Sequence, residues 1–293
     1  MVFAKRREAL RAILNGSACI RAGSVYDPIS VRIAEDLGFE LGMFGGSVAS
    51  LAILGDPDIA LITLTELCEQ VRRISRASTL PVLVDADHGY GNPLNVRRTV
   101  QELEAAGAAG LTIEDTLLPQ AFGAGEPQLI SLEEGVGKMR AARDGRSDPS
   151  LVIMGRTGMP GAVPTASSLD ECVARARAYE ATGVDALFFT GLKTRREVEA
   201  IAAATRLPVV LGNAQGELDD AAFLASQRVR IALQGHTPFA AATQAVYDTL
   251  KALREGVPPK DLKGLPTAQL TGRLMREADV KARASEFLGL KNP

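Results

Sequence analysis

No stretch of this sequence is apolar for long enough to cross a bilayer, which sets aside a membrane-spanning helix. Nor is either charge in excess: 33 Lys and Arg stand against 35 Asp and Glu, with pI ≈ 5.9. That balance argues against a nucleic-acid or acidic-membrane partner, and short basic clusters such as Lys5-Arg6-Arg7 read as solvated helix faces. Cysteine is scarce. Cys19, Cys68 and Cys172 are odd in number, widely spaced and without a metal-ligand pattern, so each reads as a small buried hydrophobe. The N-terminal run "MVFAKRREALRAIL" lacks the long apolar core and cleavage site of a secretory signal and reads as an amphipathic helix. A reduced cytoplasm is the expected compartment. The chain also has no P-loop, no dinucleotide fingerprint and no Ser–His–Asp order, which removes the commonest nucleotide and acyl-transfer chemistries.

What is present is a chain of 293 residues, 46% of them hydrophobic, enough for one large α/β barrel or two ordinary domains. Short apolar runs alternate with longer helical patterns. Strands are predicted at 18–22, 41–44, 82–84, 110–113, 151–154, 186–189, 209–211 and 230–233. Helices are predicted at 28–37, 65–77, 93–106, 132–143, 168–182, 194–204 and 219–225, with a long one from His236 to Arg254. Asp27-Pro28 is a cap followed by the proline favoured in a first turn, and Ser168 can cap with Glu171 as its partner. Gly38, Gly107 and Gly183 each stand where a helix needs a left-handed stop. About eight strand–helix units in one chain is the arithmetic of a (β/α)8 TIM-type barrel. A doubly wound sheet is the other possibility, but no linker divides the chain. The expectation is a single barrel domain over 1–293 with an N-terminal helix. Residues 257–293, with the helical run "TAQLTGRLMREADVKARASEFL", form a C-terminal extension that packs outside the barrel or onto another subunit.

A barrel of this kind carries its chemistry at the C-terminal ends of its strands. There the sequence places Gly45-Gly46-Ser47, Asp85 and Asp87, Glu114-Asp115, Arg156, Asn213 and His236, each following an apolar run. In "VLVDADHGYGN" the alternation of Asp85 and Asp87 with Ala86 turns both carboxylates to one side, where they repel unless a cation or a proton lies between them. With Glu114 they make an oxygen-only donor set suited to Mg2+ or Mn2+. Mg2+ sheds water reluctantly, so one carboxylate is expected to bind directly and the others through water. The other reading is a structural ion network of these acids with Arg156 and Arg97. Gly45-Gly46-Ser47 offers backbone N–H groups and a hydroxyl for an oxyanion, or is a plain tight turn. Arg156, opposite acids, is suited to clamp a carboxylate in a bidentate grip. The chain has two histidines, His88 and His236, and both fall at the proposed mouth.

"GGSVAS", "DADHGYGN", "LTIEDTLLPQAFG" and "MGRT", in this order and spacing, resemble the isocitrate lyase/phosphoenolpyruvate mutase superfamily. The match runs from about Ala18 to His236. Within the superfamily, "ALITLTE", "IEDTLLP" and "EEGVGK" are most similar to the oxaloacetate decarboxylase branch. The resemblance implies a (β/α)8 barrel and Mg2+ bound through Asp85, with Asp87 and Glu114 nearby and a 2-oxo acid on the metal. It implies that Ser47 and Arg156 hold the substrate carboxylate, with His236 in contact with substrate. It also implies C-terminal helices exchanged between neighbours in a dimer-of-dimers homotetramer.

Two departures narrow the chemistry. The superfamily's lyases carry a K-K-C-G-H type motif after strand four, whereas this loop reads "LLPQAFGAGEPQ", with neither cysteine nor lysine. After Arg156-Thr157 the usual acid or amide is replaced by Gly158 and then "MPGAVP". The expected activity is therefore Mg2+-dependent decarboxylation of a 2-oxo dicarboxylic acid, oxaloacetate first, through an enolate. The alternatives are a 2-methylisocitrate- or dimethylmalate-type lyase, a more distant phosphonopyruvate mutase, and a barrel that binds a 2-oxo acid with little turnover. The loop at 117–128, with its glycines and proline, is expected to be a lid.

Overall fold

Helical segments long enough to cross over a strand alternate with apolar runs too short for anything but buried strands, and in the computed structural model this gives nine strands among the described residues, which are 3–125, 128–159 and 168–290. They are β1 (Ile20–Arg21), β2 (Gly23–Ser24), β3 (Gly42–Phe44), β4 (Val82–Asp85), β5 (Gly110–Glu114), β6 (Val152–Gly158), β7 (Ala186–Thr190), β8 (Val209–Leu211) and β9 (Val229–Ala232). All pair in parallel, in the order β1-β9-β8-β7-β6-β5-β4-β3-β2. Since β1 and β2 are consecutive halves of one extended segment, pairing with β9 on one side and β3 on the other, the sheet returns on itself as the expected (β/α)8 barrel. Strands β4 and β5 are buried at every residue, as parallel strands covered on both faces must be.

The helices are α1 (Ala4–Asn15), α2 (Pro28–Asp36), α3 (Gly46–Ile53), α4 (Leu64–Ala77), α5 (Pro93–Ala106), α6 (Leu132–Gly145), α7 (Leu169–Glu180), α8 (Arg195–Ala204), α9 (Ala221–Ser226), α10 (Thr237–Arg254), α11 (Ala268–Leu274) and α12 (Glu277–Leu288). The punctuation foreseen in the sequence holds. Asp27 accepts from Ser30 N, and Ser168 accepts from Glu171 N, although the Glu171 carboxylate pairs with Arg175 instead of closing a capping box. Gly38, Gly107 and Gly183 take φ of +81, +102 and +82°.

Two segments differ from expectation. Residues 45–47 do not form an isolated turn: Gly45 caps α3 and Gly46 opens it, because "VASLAI" continues with a helical spacing that the glycine pair masks. The C-terminal run is two helices, broken where Arg276 adopts φ +55°. The chain divides into two compact units, Met1–Thr237 and Pro238–Pro293.

Helix α1 closes the N-terminal end of the barrel. Its Leu10 and Leu14 join Met43, Leu83, Met154 and Phe188 in one buried cluster. Arg7, buried beside them, donates to the carbonyls of Ala108 (3.2 Å) and Glu104 (2.7 Å) and pairs with Asp148 at 2.6 Å. Arg11 donates to Ser150 O at 2.8 Å and pairs with Asp185 at 3.0 Å. These bonds seize the chain just before β5 and β6, so the strands enter the barrel in fixed register and their far ends are left for the site. Truncating Leu10 to alanine is expected to cost about 2–5 kcal/mol in urea unfolding, the scale of a buried cavity. Because Leu10 lies at the opposite end, turnover per folded molecule should stay unchanged, and a loss of activity equal to the loss of stability would contradict this division of labour.

Candidate active site

Side chains alternate along a strand, so Asp85 shares the side of Leu83, Glu114 that of Thr112, and Arg156 that of Met154. Leu83 and Met154 point into the core cluster; the three charged residues therefore stand one layer above it, at the barrel mouth. Register then makes neighbours of them. Asp85 lies opposite Thr112, Glu114 opposite Arg156, and Arg156 opposite Phe188. The contacts follow: Thr112 Oγ1 donates to Asp85 Oδ1 at 3.0 Å, and the Arg156 guanidinium lies 5.4 Å from the Phe188 ring centroid. Arg156 Nη1 donates to Asp85 Oδ2 at 2.5 Å and stands 3.2 Å from Glu114 Oε2.

Asp87 is brought in by the turn after β4. Its backbone is at φ +47°, held there by Glu114 N donating to its carbonyl at 2.8 Å and by its own N–H donating to Asp85 Oδ1 at 3.2 Å. Gly45 and Gly46 are needed for close approach. A Cβ on Gly46 would lie 2.2 Å from Asp87 Oδ1, and one on Gly45 would lie 2.4 Å from His236 Nε2. Gly46 N reaches toward Asp85 Oδ2 at 3.5 Å, and Ser47 follows in the first turn of α3, whose free N–H groups favour negative charge. His236, after β9, is half-buried, with Nδ1 2.7 Å from Ser24 Oγ.

The electrostatics are those of too many acids around one base. Burial opposes the charge of Asp85, yet Arg156 and the hydrogen bonds from Thr112 and Gly46 outweigh it and hold this carboxyl below its usual range. Asp87 is pushed well above that range by burial and by Asp85, Glu114 and Asp58. Burial, helped by Asp85 and opposed by Arg156, also raises Glu114. Burial works against the charge on Arg156, but Asp85 and Glu114 more than restore it. Burial and Arg156, against a pull from Asp85, lower the His236 ring and keep it neutral near pH 7.

Beside these groups a cavity of about 360 Å³ is lined by Asp58, Asp87, Glu114, Arg156, Leu118 and Gln120. Among the described residues no three His, Cys, Asp or Glu side chains stand close enough to enclose a metal unaided. Arg156 occupies the space between Asp85 and Glu114 instead. The donor chemistry nevertheless fits a hard divalent cation with water completing its shell: all oxygen, buried, and with Asp87 and Glu114 disfavoured as anions by burial and by the neighbouring carboxylates.

Other sequence candidates fall elsewhere. Arg97 pairs with Asp144 at 2.6 Å on the surface, so of the two arginines only Arg156 joins the acids. Asn213 is exposed. His88 is buried with its carbonyl accepting from Lys138 Nζ at 2.9 Å, and its ring is lowered to about 4 by burial and by Lys138. Asp115, adjacent to Glu114 but of opposite parity, faces α7, where Tyr179 OH donates to it at 2.7 Å and Arg175 Nη1 lies at 3.1 Å. Arg175 also donates to Ile130 O at 3.0 Å, so it secures the return of the 117–128 loop. Residues 126 and 127 of that loop and 160–164 of "MPGAVP" lie outside the described residues. Sequence reasoning missed Asp58, in the "GDPD" loop after α3, because no strand precedes it. It missed Ser24 because a serine in a strand carries no signal of its own.

The chain is similar to several known proteins along most of its length. Residues 10–254 match the family model described as phosphoenolpyruvate phosphomutase. A protein of Bradyrhizobium diazoefficiens named oxaloacetate decarboxylase is 74% identical over 99% of this chain and 100% of its own length. One of the same name from Rhodopseudomonas palustris is 68% identical, with 99% and 100% covered. Among solved structures, phosphonopyruvate hydrolase in complex with oxalate and Mg2+ superposes with a TM-score of 0.83 at 27% identity, covering 97% of this chain and 99% of that one.

The Gly46 contact supplies a direct test. In Gly46→Ala the new methyl must displace Asp87, so Mg2+ affinity by calorimetric titration is expected to fall by roughly tenfold or more, as when a ligand loses its support. The melting temperature should change little. Equal affinity would mean that Asp87 has room to move aside or is no part of the donor set.

Proposed function

The chain belongs to the phosphoenolpyruvate phosphomutase family, and from that premise we propose that it is a divalent-cation-dependent carboxy-lyase converting oxaloacetate to pyruvate and CO2. The observation that carries this reading is the charge arrangement at the mouth. Arg156 is paired with Asp85 and Glu114 beside a third buried carboxyl, Asp87, and this crowding of oxygen donors around a carboxylate-binding guanidinium supports a site for a cation and an anionic substrate. Asp85, Asp87 and Glu114 would hold Mg2+, with Mn2+ as a substitute of similar preference. When bound, the cation acts as a Lewis acid on the 2-oxo group and offsets the negative charge that develops on its oxygen.

The chain's own groups do the rest. Arg156, braced by Asp85 and lying over Phe188, presents its guanidinium to a substrate carboxylate, and the N–H groups of Gly46 and Ser47 at the start of α3 add donors. The bond from C3 to the outer carboxylate breaks, its electrons pass toward the 2-oxo group, and CO2 leaves. The resulting pyruvate enolate is protonated at C3 from solvent. His236, neutral and close to Gly45, donates a hydrogen bond to the oxygen where charge builds. This route needs no nucleophile, in keeping with a loop that has no cysteine or lysine across 117–128. A retro-aldol lyase needs an acid–base group there. The buried Lys138 is no substitute, since its amine is engaged by the His88 carbonyl. Gly158 ends β6 opposite Thr190 and offers no side chain to a longer substrate, which suits the small C4 acid.

The same reading takes the chain as one catalytic barrel whose C-terminal helices pair subunits. Val246, Tyr247 and Leu250 of α10 are exposed, as are Val280 and Phe287 of α12, and such apolar faces are expected to be covered in a dimer-of-dimers homotetramer. No helix of the described residues is long and apolar enough to cross a membrane, in keeping with a cytoplasmic enzyme.

A coupled pyruvate assay tests the proposal, corrected for metal-catalysed background and run with and without chelator. Turnover should require the cation. Asp85→Asn, which keeps a hydrogen-bonding side chain beside Thr112, should stay folded and lose metal-dependent turnover; full activity in that variant would sink the metal assignment. His236→Ala is expected to melt close to wild type with kcat/KM down by roughly tenfold or more, the scale of one lost transition-state hydrogen bond. Lowered stability with normal turnover would make His236 structural.

A further inference from the structure

Three chain segments meet at His236, and only one of them belongs to the charged cluster. Its ring lies between Ser24, at the end of β2, and Gly45, the cap of α3. The strand register brings this about: Ser24 pairs with Met43, two residues before Gly45, while β9, which leads to His236, pairs with β1 just before Ser24. Gly235, at φ +74°, turns the chain back so that the imidazole crosses the barrel's closing strand. One ring edge then rests on Ser24 Oγ, 2.7 Å from Nδ1, and the other faces Gly45, where a Cβ would come within 2.6 Å of both Nε2 and Cε1. The ring is thus held from both sides.

We propose that Ser24 is a positioning residue for the reaction: its hydroxyl donates to His236 Nδ1, which fixes the ring's orientation and places the ring proton on Nε2, the edge that lies beside Gly45 at the start of α3. Among the described residues, Nδ1 is the only hydrogen-bond partner of the Ser24 hydroxyl. If Nδ1 carried the proton, that hydroxyl hydrogen would have no protein acceptor; with Nδ1 accepting, both groups are satisfied. His236 then presents a donor and no lone pair to the site. It stabilises the oxygen of the forming enolate and does not act as a base. The inference rests on the placement of His236 in the proposed decarboxylase site.

Only two histidines occur in the chain, so 15N-histidine labelling of the intact protein gives two ring systems, and the spectrum lost in His236→Gln assigns them. At a pH where the ring is neutral, His236 is expected to show protonated Nε2 and an Nδ1 resonance displaced by an accepted hydrogen bond. In Ser24→Ala, Nδ1 should move toward the position of a free neutral imidazole, kcat should fall roughly threefold to tenfold with KM little changed, and melting should stay near wild type. Ser24→Thr, which keeps the hydroxyl, should restore resonance and rate together. Protonated Nδ1 in the wild type overturns the assignment. So does an unmoved Nδ1 resonance in Ser24→Ala, or a moved one with unchanged kcat. Full turnover in His236→Ala would instead remove the underlying reading of His236, whatever the Ser24 variants show.

Discussion

The site depends on one buried guanidinium. Arg156 lies between Asp85 and Glu114 and is paired with both, so either carboxylate still balances the guanidinium when the other is lost. An unpaired charge at such depth is strongly destabilising, commonly by about 3–5 kcal/mol when a partner is removed. Pairing alone does not settle the balance, because among the described residues four carboxyls, Asp58 included, share the mouth with Arg156. The excess appears as raised Asp87 and Glu114, while Asp85, nearest the guanidinium, stays ionised. A proton can relieve that excess, and so can the cation of the proposed function, which would favour the ionised form of Asp85, Asp87 and Glu114.

That arrangement exists because backbone register puts it there. Glu114 and Arg156 are paired residues of adjacent strands, as are Asp85 and Thr112. A slip of one residue along β5 would send Glu114 toward the helices and Asp115 into the barrel. Asp115 is adapted to the helix side: Tyr179 and Arg175 of α7 satisfy it, and Arg175 goes on to hold Ile130, where the mouth loop returns. One dipeptide thus serves two layers, with the inner acid in the site and the outer acid anchoring the loop beside it. At the other end of the barrel, Arg7 and Arg11 of α1 hold the entries of β5 and β6, so register is secured from below. The stabilising and the reactive charges are kept a barrel length apart.

The alternation of apolar runs and helical spacings made the strands and most helices legible, as did the residues that stop or cap them. Segments went wrong where a local signal concealed a longer one. The glycine pair at 45–46 looked like a turn, yet it opens a helix whose first residues must lie against Asp87 and His236. The C-terminal helical pattern runs on through Arg276, although the backbone there turns left-handed. His88 and His236 were equivalent in sequence, each after an apolar run; the first is buried with its carbonyl bound by Lys138, and the second reaches across the end of β2 to Ser24 and Gly45.

By itself the sequence determined the barrel, the acids and arginine at its strand ends, and the absence of a nucleophile in the loop, since these depend on residue type and short-range periodicity. Tertiary structure alone decided which arginine meets the acids, that Asp58 lines the cavity, that Asp115 turns away from it, and that Ser24 meets His236 from 212 positions away. Those outcomes follow from barrel closure and register, which join residues distant in the chain through contacts that no local pattern encodes.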